Sequence, residues 1–260
     1  MSPTARATPL GDALAEFAAL DRVIIASDYD GCVSPIVSRP EDAVPDPAST
    51  AALAAAAELP GTWAALVSGR ARSDLAALSG LHDPVTLVGS HGAEFETGFD
   101  TPLTATQTSL LAEVVAEIES IAARFAGTSV ETKPASTALH VRNASDEDAR
   151  AALALAVEGP ASWTGVHVTH GKAVIELAVI ETSKGHALDR LRARVNAQAV
   201  LYLGDDITDE KAFAHLNLPG DVAVKVGDGA TAAKFRIAST DEVAQVLSAA
   251  VELRAAATRS

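Results

Sequence analysis

The sequence is poor in features on which several protein classes depend. It contains a single cysteine, Cys32, which excludes an intrachain disulfide and suits a reducing compartment. No segment approaches the roughly 20 apolar residues of a membrane-spanning helix, and residues 1–11 lack the apolar core of a signal peptide. We therefore expect a globular, cytoplasmic protein that has no membrane partner.

Basic residues are also few compared with acidic residues. Lysine and arginine total 20 against 34 aspartates and glutamates, so the formal net charge is −14. This balance argues against a general nucleic-acid binder, whose surface is basic. An anionic substrate would need a locally positive pocket. The apolar content of 48% fits a folded chain, and 260 residues suffice for one large domain or two small ones. We expect a monomer.

One apolar run stops abruptly at two acids. Residues 23–27 read Val-Ile-Ile-Ala-Ser, and Asp28-Tyr29-Asp30-Gly31 follow directly. Such a run is typical of a buried strand, and residues two apart in a strand project to the same side. Asp28 and Asp30 should therefore share the space beyond the carboxyl end of the strand, where open α/β sheets bind ligands. Two neighbouring carboxylates repel each other unless a cation or a shared proton neutralises them.

Strand and helix patterns alternate along most of the chain, which predicts an α/β fold with a parallel sheet. Between residues 96 and 180 the order changes to helix, two strands, helix and two strands, which indicates an inserted α+β unit. Its last two strands, residues 166–168 and 173–177, are expected to flank a turn at His170-Gly171. The predicted division is residues 1–95 and 181–260 for the core and 96–180 for the insert.

Four sets of polar side chains stand at the ends of predicted core strands or at the starts of helices. They are Asp28 with Asp30, Ser68, Lys184, and Asp205 with Asp206. Acids from two strands form an oxygen-rich site that suits Mg²⁺. A serine hydroxyl and the free N–H groups of a helix start can hold phosphate oxygens, and a lysine adds positive charge. With the metal, these parts suffice for phosphoryl transfer through an aspartyl phosphate.

These motifs resemble those of the haloacid dehalogenase (HAD) superfamily, in the same order and across essentially the whole chain. Several segments are similar to those of the trehalose-6-phosphate phosphatase family, namely DYDGCVSPIV at 28–37, VSGR at 67–70, GSHGAE at 89–94, ETKPASTALHVR at 131–142 and GDDITDE at 204–210. The resemblance implies a HAD-type Rossmann-like core with a parallel sheet, an inserted α+β cap that reads the sugar, and Mg²⁺-dependent hydrolysis of trehalose 6-phosphate.

The resemblance also implies catalytic roles for core residues. Asp28 would be the nucleophile that attacks phosphorus. Asp30 would be the acid that protonates the departing sugar oxygen, and then the base that activates water. Ser68 and Lys184 would grip the phosphoryl group, and Arg70 would support the loop that carries Ser68.

The implied metal site draws on the same loops. Asp28, the backbone carbonyl of Asp30, and Asp205 would hold Mg²⁺. Asp206 or Asp209 would ligate it through water or orient the loop.

In this family the cap closes over the core and orders the substrate. The substrate-binding residues that the resemblance implies are Ser68, Arg70, His91, Glu131, Lys133, His140, Arg142 and Glu176. Of these, Glu131, Lys133 and Glu176 would hydrogen-bond the sugar hydroxyls, with His140 and Arg142 nearby.

The chain departs from the family pattern at two places. Cys32 replaces the usual threonine, and Leu177-Ala178-Val179 follows Glu176 where an arginine and a proline are common. The second departure leaves other substrates open: a sucrose, glucosylglycerol, mannosylglycerate or pseudo-disaccharide phosphate. A phosphosugar-binding module without catalysis is a further alternative, although it would need neither a nucleophile nor an acid.

The candidates also have simpler structural interpretations. Ser68 would equally serve as a helix cap, and Lys184 as a solvated lysine at a helix start. The charged residues of the cap strands would be ordinary surface charges. His91 would support its loop, and His140 would be structural. Cys32 has no neighbouring histidine motif, so we do not expect it to act as a nucleophile.

Overall fold

The computed structural model describes residues 9–99, 102–181 and 183–258. Residues 1–8 lie outside the described residues. They make up most of residues 1–11, the segment that is predicted to lack the apolar core of a signal peptide. Within the described ranges, no helix has the length and the apolar composition that crossing a membrane requires.

Helices and strands alternate in the first part of the chain. Its elements are α1 (Pro9–Ala18), β1 (Val23–Ser27), α2 (Pro47–Ala57), β2 (Thr62–Val67), α3 (Arg72–Ser79) and β3 (Thr86–Val88). All five residues of β1 are buried because helices cover both faces of its sheet. Helix α2 begins at Pro47 because the Asp46 carboxylate accepts the Ser49 N–H at 2.8 Å, and because proline fits the first turn of a helix.

The insert follows. A short hairpin of β4 (Glu94–Phe95) and β5 (Gly98–Phe99) leads into it, and its further elements are, in order, α4 (Ala105–Ala122), β6 (Ser129–Lys133), β7 (Ser136–His140), α5 (Asp146–Glu158), β8 (His167–Gly171) and β9 (Val174–Ala178). The last four strands form an antiparallel sheet in the order β6-β7-β9-β8. Val114 and Ile118 of α4 pack with Leu139 and Ile175 of the sheet in a separate apolar cluster. The predicted order of helices and strands in the insert is therefore confirmed.

The alternating pattern then returns. The remaining elements are α6 (Lys184–Val195), β10 (Ala199–Gly204), α7 (Ile207–His215), β11 (Val222–Val226), β12 (Phe235–Ile237) and α8 (Val243–Ala257). One face of the large sheet packs on α1, α2 and α8 through residues such as Phe17, Leu53 and Leu247. The other face packs on α6 and α7 through residues such as Leu188 and Phe213.

The large sheet has six parallel strands in the order β12-β11-β10-β1-β2-β3. The predicted parallel α/β core is therefore confirmed. In its centre Ser27, the last residue of β1, stands beside Leu203 of β10 and Leu66 of β2. This register brings the loops that begin at Asp28, Asp205 and Ser68 to one edge of the sheet.

Three details differ from the sequence predictions. The β4–β5 hairpin and the edge strand β12 were missed because each strand has only two or three residues, too few for a periodic pattern. The predicted His170-Gly171 turn is wrong. Gly171 pairs with Val174 inside the sheet, and the turn falls at Lys172-Ala173, where Ala173 adopts a φ of 62°. A glycine usually marks such a position, and here alanine takes it.

Candidate active site

A cleft of about 820 Å³ lies between the loops at the carboxyl edge of the parallel sheet and the antiparallel sheet of the insert. Every predicted site residue lines it except Ser68 and Asp209, which are fully buried beneath its surface. A smaller cavity of about 240 Å³ beside Trp63 contains none of the predicted site residues. Apart from Ser68, the side chains that the sequence placed in one crevice line the same cleft, together with residues of the insert.

Lys184 forms ion pairs with two buried carboxylates at the floor of the cleft. Its Nζ donates to Asp28 Oδ2 at 2.7 Å and to Asp209 Oδ1 at 2.9 Å, and its side chain is only 1% exposed. Burial lowers the pKa of Lys184, but the carboxylates of Asp209 and Asp28 outweigh burial and the pKa rises. Lys184 is therefore a fixed cation beside Asp28. It is not a solvated surface lysine.

Sequence reasoning missed Tyr202 in this network. Its hydroxyl donates to Asp209 Oδ1 at 2.7 Å from the fully buried strand β10. A tyrosine in a buried strand needs a hydrogen-bond partner, so its position three residues before Asp205 was the available signal.

The carboxylates of Asp28, Asp205 and Asp209 converge so that one oxygen of each lies within 4.8 Å of the others. Burial and the charge of Asp209 raise the pKa of Asp205 to about 7, because the positive charges of Lys184 and Lys225 only partly offset them. Gly31, at φ 78°, leaves room for this group, since a Cβ there would lie 2.2 Å from the Asp205 carboxylate. The oxygen-rich donor set and its unbalanced negative charge fit a metal cation.

Asp206, predicted as a metal residue, stands outside this group of three. Its Oδ1 accepts the N–H groups of Thr208 at 2.8 Å and Asp209 at 3.1 Å, and so caps the start of α7. Burial raises its pKa, but Lys184 and the hydrogen bond from Thr208 lower it further, and the net pKa falls below the ordinary value. Asp206 therefore fixes the backbone at the start of α7, and its role as a metal residue stays a prediction.

Asp30 and Arg70 form a bidentate ion pair across the cleft. Arg70 Nε donates to Asp30 Oδ2 at 2.8 Å, and Arg70 Nη2 donates to Asp30 Oδ1 at 2.6 Å. The guanidinium also lies over the Tyr29 ring, 5.4 Å from its centroid. Arg70 thus contacts the candidate acid directly, which the sequence did not predict.

Ser68 lies beneath the same loop, fully buried. Its Oγ accepts the Arg70 N–H at 3.1 Å, and helix α3 begins only at Arg72 with Ala71 as its cap. Ser68 is therefore not a helix cap, and its hydroxyl shapes the turn that presents Gly69 and Arg70.

Two loops of the core are joined behind this turn. His91 N donates to Ser68 O at 3.0 Å, and Ser90 N donates to Arg70 O at 2.7 Å. Ser90 and His91 both have φ near 50°, a left-handed conformation that non-glycine residues adopt rarely. This backbone directs the His91 ring over Gly69, where a Cβ would lie 2.4 Å from it. Gly69 is thus needed for the close approach.

Two contacts cross the cleft from the insert to this pair of loops. Lys133 Nζ donates to Gly69 O at 2.9 Å, and His91 Nε2 lies 3.1 Å from Glu176 Oε2. Glu176 also accepts Lys133 Nζ at 2.7 Å and Ser136 Oγ at 2.7 Å. Burial raises the pKa of Glu176, but Lys133 and His91 lower it further, and the net pKa falls well below the ordinary value. Glu176 and Lys133 are therefore not ordinary surface charges.

The outer part of the insert contributes the remaining predicted residues. His140 Nε2 lies 2.9 Å from Glu131 Oε2, and Arg142 donates to the Lys172 carbonyl at 3.3 Å. The carboxylate of Glu131 is 4.0 Å from Lys133 Nζ, which links it to the inner cluster. The insert thus faces the core loops with a chain of alternating acids and bases.

Cys32 lies behind the acidic group and is fully buried. Burial, together with the negative charge of Asp28, raises the pKa of the Cys32 thiol well above its ordinary value. A thiol of this kind stays protonated and is a poor nucleophile.

Comparison with known proteins identifies the family. The trehalose-phosphatase family model matches residues 26–241. The chain is 31% identical to trehalose-6-phosphate phosphatase of Escherichia coli K12 over 219 residues, which cover 83% of this chain and 82% of that protein. It is 35% identical to trehalose-phosphate phosphatase of Mycobacterium marinum, covering 86% of this chain and 60% of that longer protein.

A solved structure shows the same fold. The C-terminal domain of Candida albicans trehalose-6-phosphate phosphatase superposes with a TM-score of 0.83 at 22% identity, covering 97% of this chain and 99% of that one. Because the family model spans most of the chain and the E. coli relative matches along most of both lengths, this chain belongs to the trehalose-phosphatase family.

Proposed function

We propose that this chain hydrolyses trehalose 6-phosphate to trehalose and phosphate through an aspartyl phosphate on Asp28. One observation carries the proposal: the Asp28, Lys184, Asp205 and Asp209 cluster faces the Glu176 and Lys133 cluster of the insert across one cleft. The cleft volume of about 820 Å³ lies within the usual range of small-molecule sites. A phosphoryl group can lie at one end while the sugars lie at the other.

Asp28, Asp30 and Lys184 of the core would each have a separate catalytic role. Asp28 attacks phosphorus, the bond between phosphorus and the sugar oxygen breaks, and Asp30 gives its proton to that oxygen. Water then attacks the aspartyl phosphate and its proton passes to Asp30, which releases phosphate and restores Asp28. Lys184, held 2.7 Å from Asp28, stabilises negative charge on the phosphoryl oxygens at each transition state.

Mg²⁺ is the cation that we propose for the acidic group. Asp28, Asp205 and Asp209 would hold it, together with the carbonyl of Asp30. When bound, Mg²⁺ supplies positive charge to the phosphoryl oxygens. Removing it with a chelator should abolish turnover, and adding Mg²⁺ back should restore turnover and raise the unfolding temperature.

The insert would recognise the sugars. Glu176, Lys133 and Glu131 offer carboxylates and an ammonium group that suit hydroxyl groups, with His140 and Arg142 at the outer end. In the described structure Glu176 and Lys133 satisfy each other and two core groups, His91 and Gly69. When substrate enters, hydrogen bonds from Glu176 and Lys133 to the sugar hydroxyls would replace these contacts.

The test is phosphate release from a panel of substrates. The panel contains trehalose 6-phosphate and phosphates of sucrose, glucosylglycerol, mannosylglycerate and a pseudo-disaccharide. We expect kcat/KM for trehalose 6-phosphate to exceed the others by at least about 100-fold, since a site built for particular hydroxyls rejects analogues that leave its polar groups unpaired. Comparable turnover of all of them, or none of trehalose 6-phosphate, would contradict the substrate assignment.

A single variant separates catalysis from binding. Asp28→Asn should lose turnover by more than about 1,000-fold, because an amide cannot form the aspartyl phosphate, while calorimetry should still detect substrate binding. Substantial Mg²⁺-dependent activity in Asp28→Asn would refute the aspartyl-phosphate mechanism. If the wild-type protein binds the sugar phosphate without turnover, the chain is a binding module.

Three further expectations belong to the proposal. Residues 1–95 and 181–260 would form the catalytic core and residues 96–180 the cap, although the β4–β5 hairpin at 94–99 straddles that limit. The protein would be cytoplasmic, in keeping with the buried free thiol of Cys32. It would act as a monomer, because one chain supplies both sides of the cleft.

A further inference from the structure

The Asp30 carboxylate has one hydrogen-bonding partner in the described part of the chain, and that partner is Arg70. The bond is bidentate, with Nε at 2.8 Å and Nη2 at 2.6 Å. The terminal torsion of an aspartate is otherwise soft, with a broad distribution of angles. A planar guanidinium that meets both oxygens fixes the plane of the carboxylate.

Arg70 itself is held in place. Its N–H is bound by Ser68 Oγ, its carbonyl accepts the Ser90 N–H at 2.7 Å, and its guanidinium lies over Tyr29. Tyr29 is in turn fixed by a hydrogen bond from its hydroxyl to the Ala43 carbonyl at 2.9 Å. The Arg70 side chain is only 10% exposed. A guanidinium held this rigidly fixes the position of the Asp30 carboxylate to which it donates.

Two other cations that line the cleft, Lys184 and Lys133, are engaged elsewhere. Lys184 bonds Asp28 and Asp209, and Lys133 bonds Glu176 and the Gly69 carbonyl. The Arg70 fork uses one site on each Asp30 oxygen, and each oxygen keeps a second lone pair for proton transfer. Arg70 therefore orients Asp30 without blocking it.

We propose that Arg70 is the positioning residue of Asp30, fixing its carboxylate in line with the departing sugar oxygen and with the attacking water. The proposal rests on the function proposed above, in which Asp30 transfers the proton in both steps. Arg70 would act through Asp30, and not as a ligand of the phosphoryl group or the sugar.

The test compares wild type, Arg70→Lys and Asp30→Asn. Lysine keeps the charge but cannot form the planar fork. With trehalose 6-phosphate we expect Arg70→Lys to lower kcat by about 100-fold, the usual scale of acid–base catalysis, with KM changing less than about 3-fold. Arg150→Lys, an exposed change on α5, should leave both constants unchanged. Unfolding temperatures verify that each variant is folded.

A second substrate gives a readout that a merely structural role would not produce. The leaving group of p-nitrophenyl phosphate departs without a proton, so Asp28 should still be phosphorylated rapidly in Arg70→Lys. Hydrolysis of the aspartyl phosphate should be slow, because Asp30 is misplaced. We expect a burst of about one nitrophenolate per enzyme, a slow steady state, and covalent phosphate that survives acid quenching.

The double variant completes the test. If Arg70 acts through Asp30, Arg70→Lys should cost less than about 3-fold on the Asp30→Asn background, although it costs about 100-fold in the wild type. Additive losses, a raised KM with kcat unchanged, or the absence of a burst would overturn the proposal.

The outcomes for the two proposals are separable. If wild type cleaves p-nitrophenyl phosphate but not trehalose 6-phosphate, the sugar assignment fails, and the burst and the double variant still decide the role of Arg70. If wild type cleaves neither, both proposals fail.

Discussion

Glu176 shows how neighbouring charges set the state of one buried residue. Lys133 and His91 contact its carboxylate at 2.7 and 3.1 Å, and Ser136 donates to its other oxygen. These partners outweigh burial, so the folded pKa lies below the ordinary value of 4.5. A lowered folded pKa means that this group stabilises the fold above its ordinary pKa, and that the stabilisation is lost as pH falls through the folded pKa.

The direction of this pKa shift leads to a prediction for the Glu176→Gln variant. Near neutral pH the variant should unfold with a free energy roughly 3 kcal/mol below wild type, because Lys133 and His91 lose their charged partner. The difference should stay constant from about pH 7 to about pH 5 and shrink as the pH falls from about 5 towards about 2, since the unfolded chain then binds a proton while the folded carboxylate stays ionised. Denaturant titrations across this range measure it. Glu181→Gln, at an exposed position, is the control, and a difference that does not vary with pH would contradict the assignment.

At the scale of elements, the start of α7 holds one side of the acidic group. Asp206 and Asp209 form a capping box, in which Asp206 accepts the Asp209 N–H and Asp209 Oδ2 accepts the Asp206 N–H at 3.0 Å. Asp209 Oδ2 also accepts the Asp205 N–H at 2.9 Å. The cap of this helix and the geometry of Asp205 and Asp209 are therefore coupled.

Substitutions at Asp206 distinguish a helix cap from a metal ligand. Asp206→Ser keeps an oxygen for the cap, whereas Asp206→Ala removes it at a cost of about 1 kcal/mol. We expect the alanine variant to unfold about 2–4 °C below wild type and the serine variant to stay close to wild type. The Mg²⁺-induced rise in unfolding temperature should persist in Asp206→Ser. Its complete loss in both variants would make Asp206 a ligand.

At the scale of the whole molecule, hydrogen bonds join the core and the insert across the cleft. His91 and Gly69 of the core loops bond Glu176 and Lys133 of the insert. Substrate hydroxyls would use the same insert residues, so substrate binding and these contacts between the insert and the core would be linked.

His91→Asn tests this bridge. Asparagine tolerates the left-handed backbone at this position but does not reach Glu176. We expect KM for trehalose 6-phosphate to rise about 10-fold, the value of one charge-assisted hydrogen bond, and hydrogen exchange in β6 and β9 to increase. Activity on p-nitrophenyl phosphate should change less than about 3-fold. His167→Asn, on an exposed part of β8, is the control, and equal losses on both substrates would indicate a role in folding.

Much of this architecture is encoded locally along the chain. The apolar run before Asp28 and the alternation of strands with helices predicted the parallel sheet. The change of pattern after residue 96 predicted the insert, because periodicity reports which face of each element is buried. Short strands such as β12 and the alanine in the β8–β9 turn carry no such signal and were missed or misplaced.

Partners that lie far apart in the sequence depend on register and packing. Arg70 meets Asp30 from 40 residues away, His91 meets Glu176 from 85, and Lys184 meets Asp28 from 156. The residue types and motif order predicted that an acidic, phosphate-binding crevice would form at the strand ends. Which carboxylate pairs with which cation follows only once parallel β1, β2 and β10 align their loops and the insert folds over them, because a hydrogen bond is decided by distances of a few tenths of an ångström.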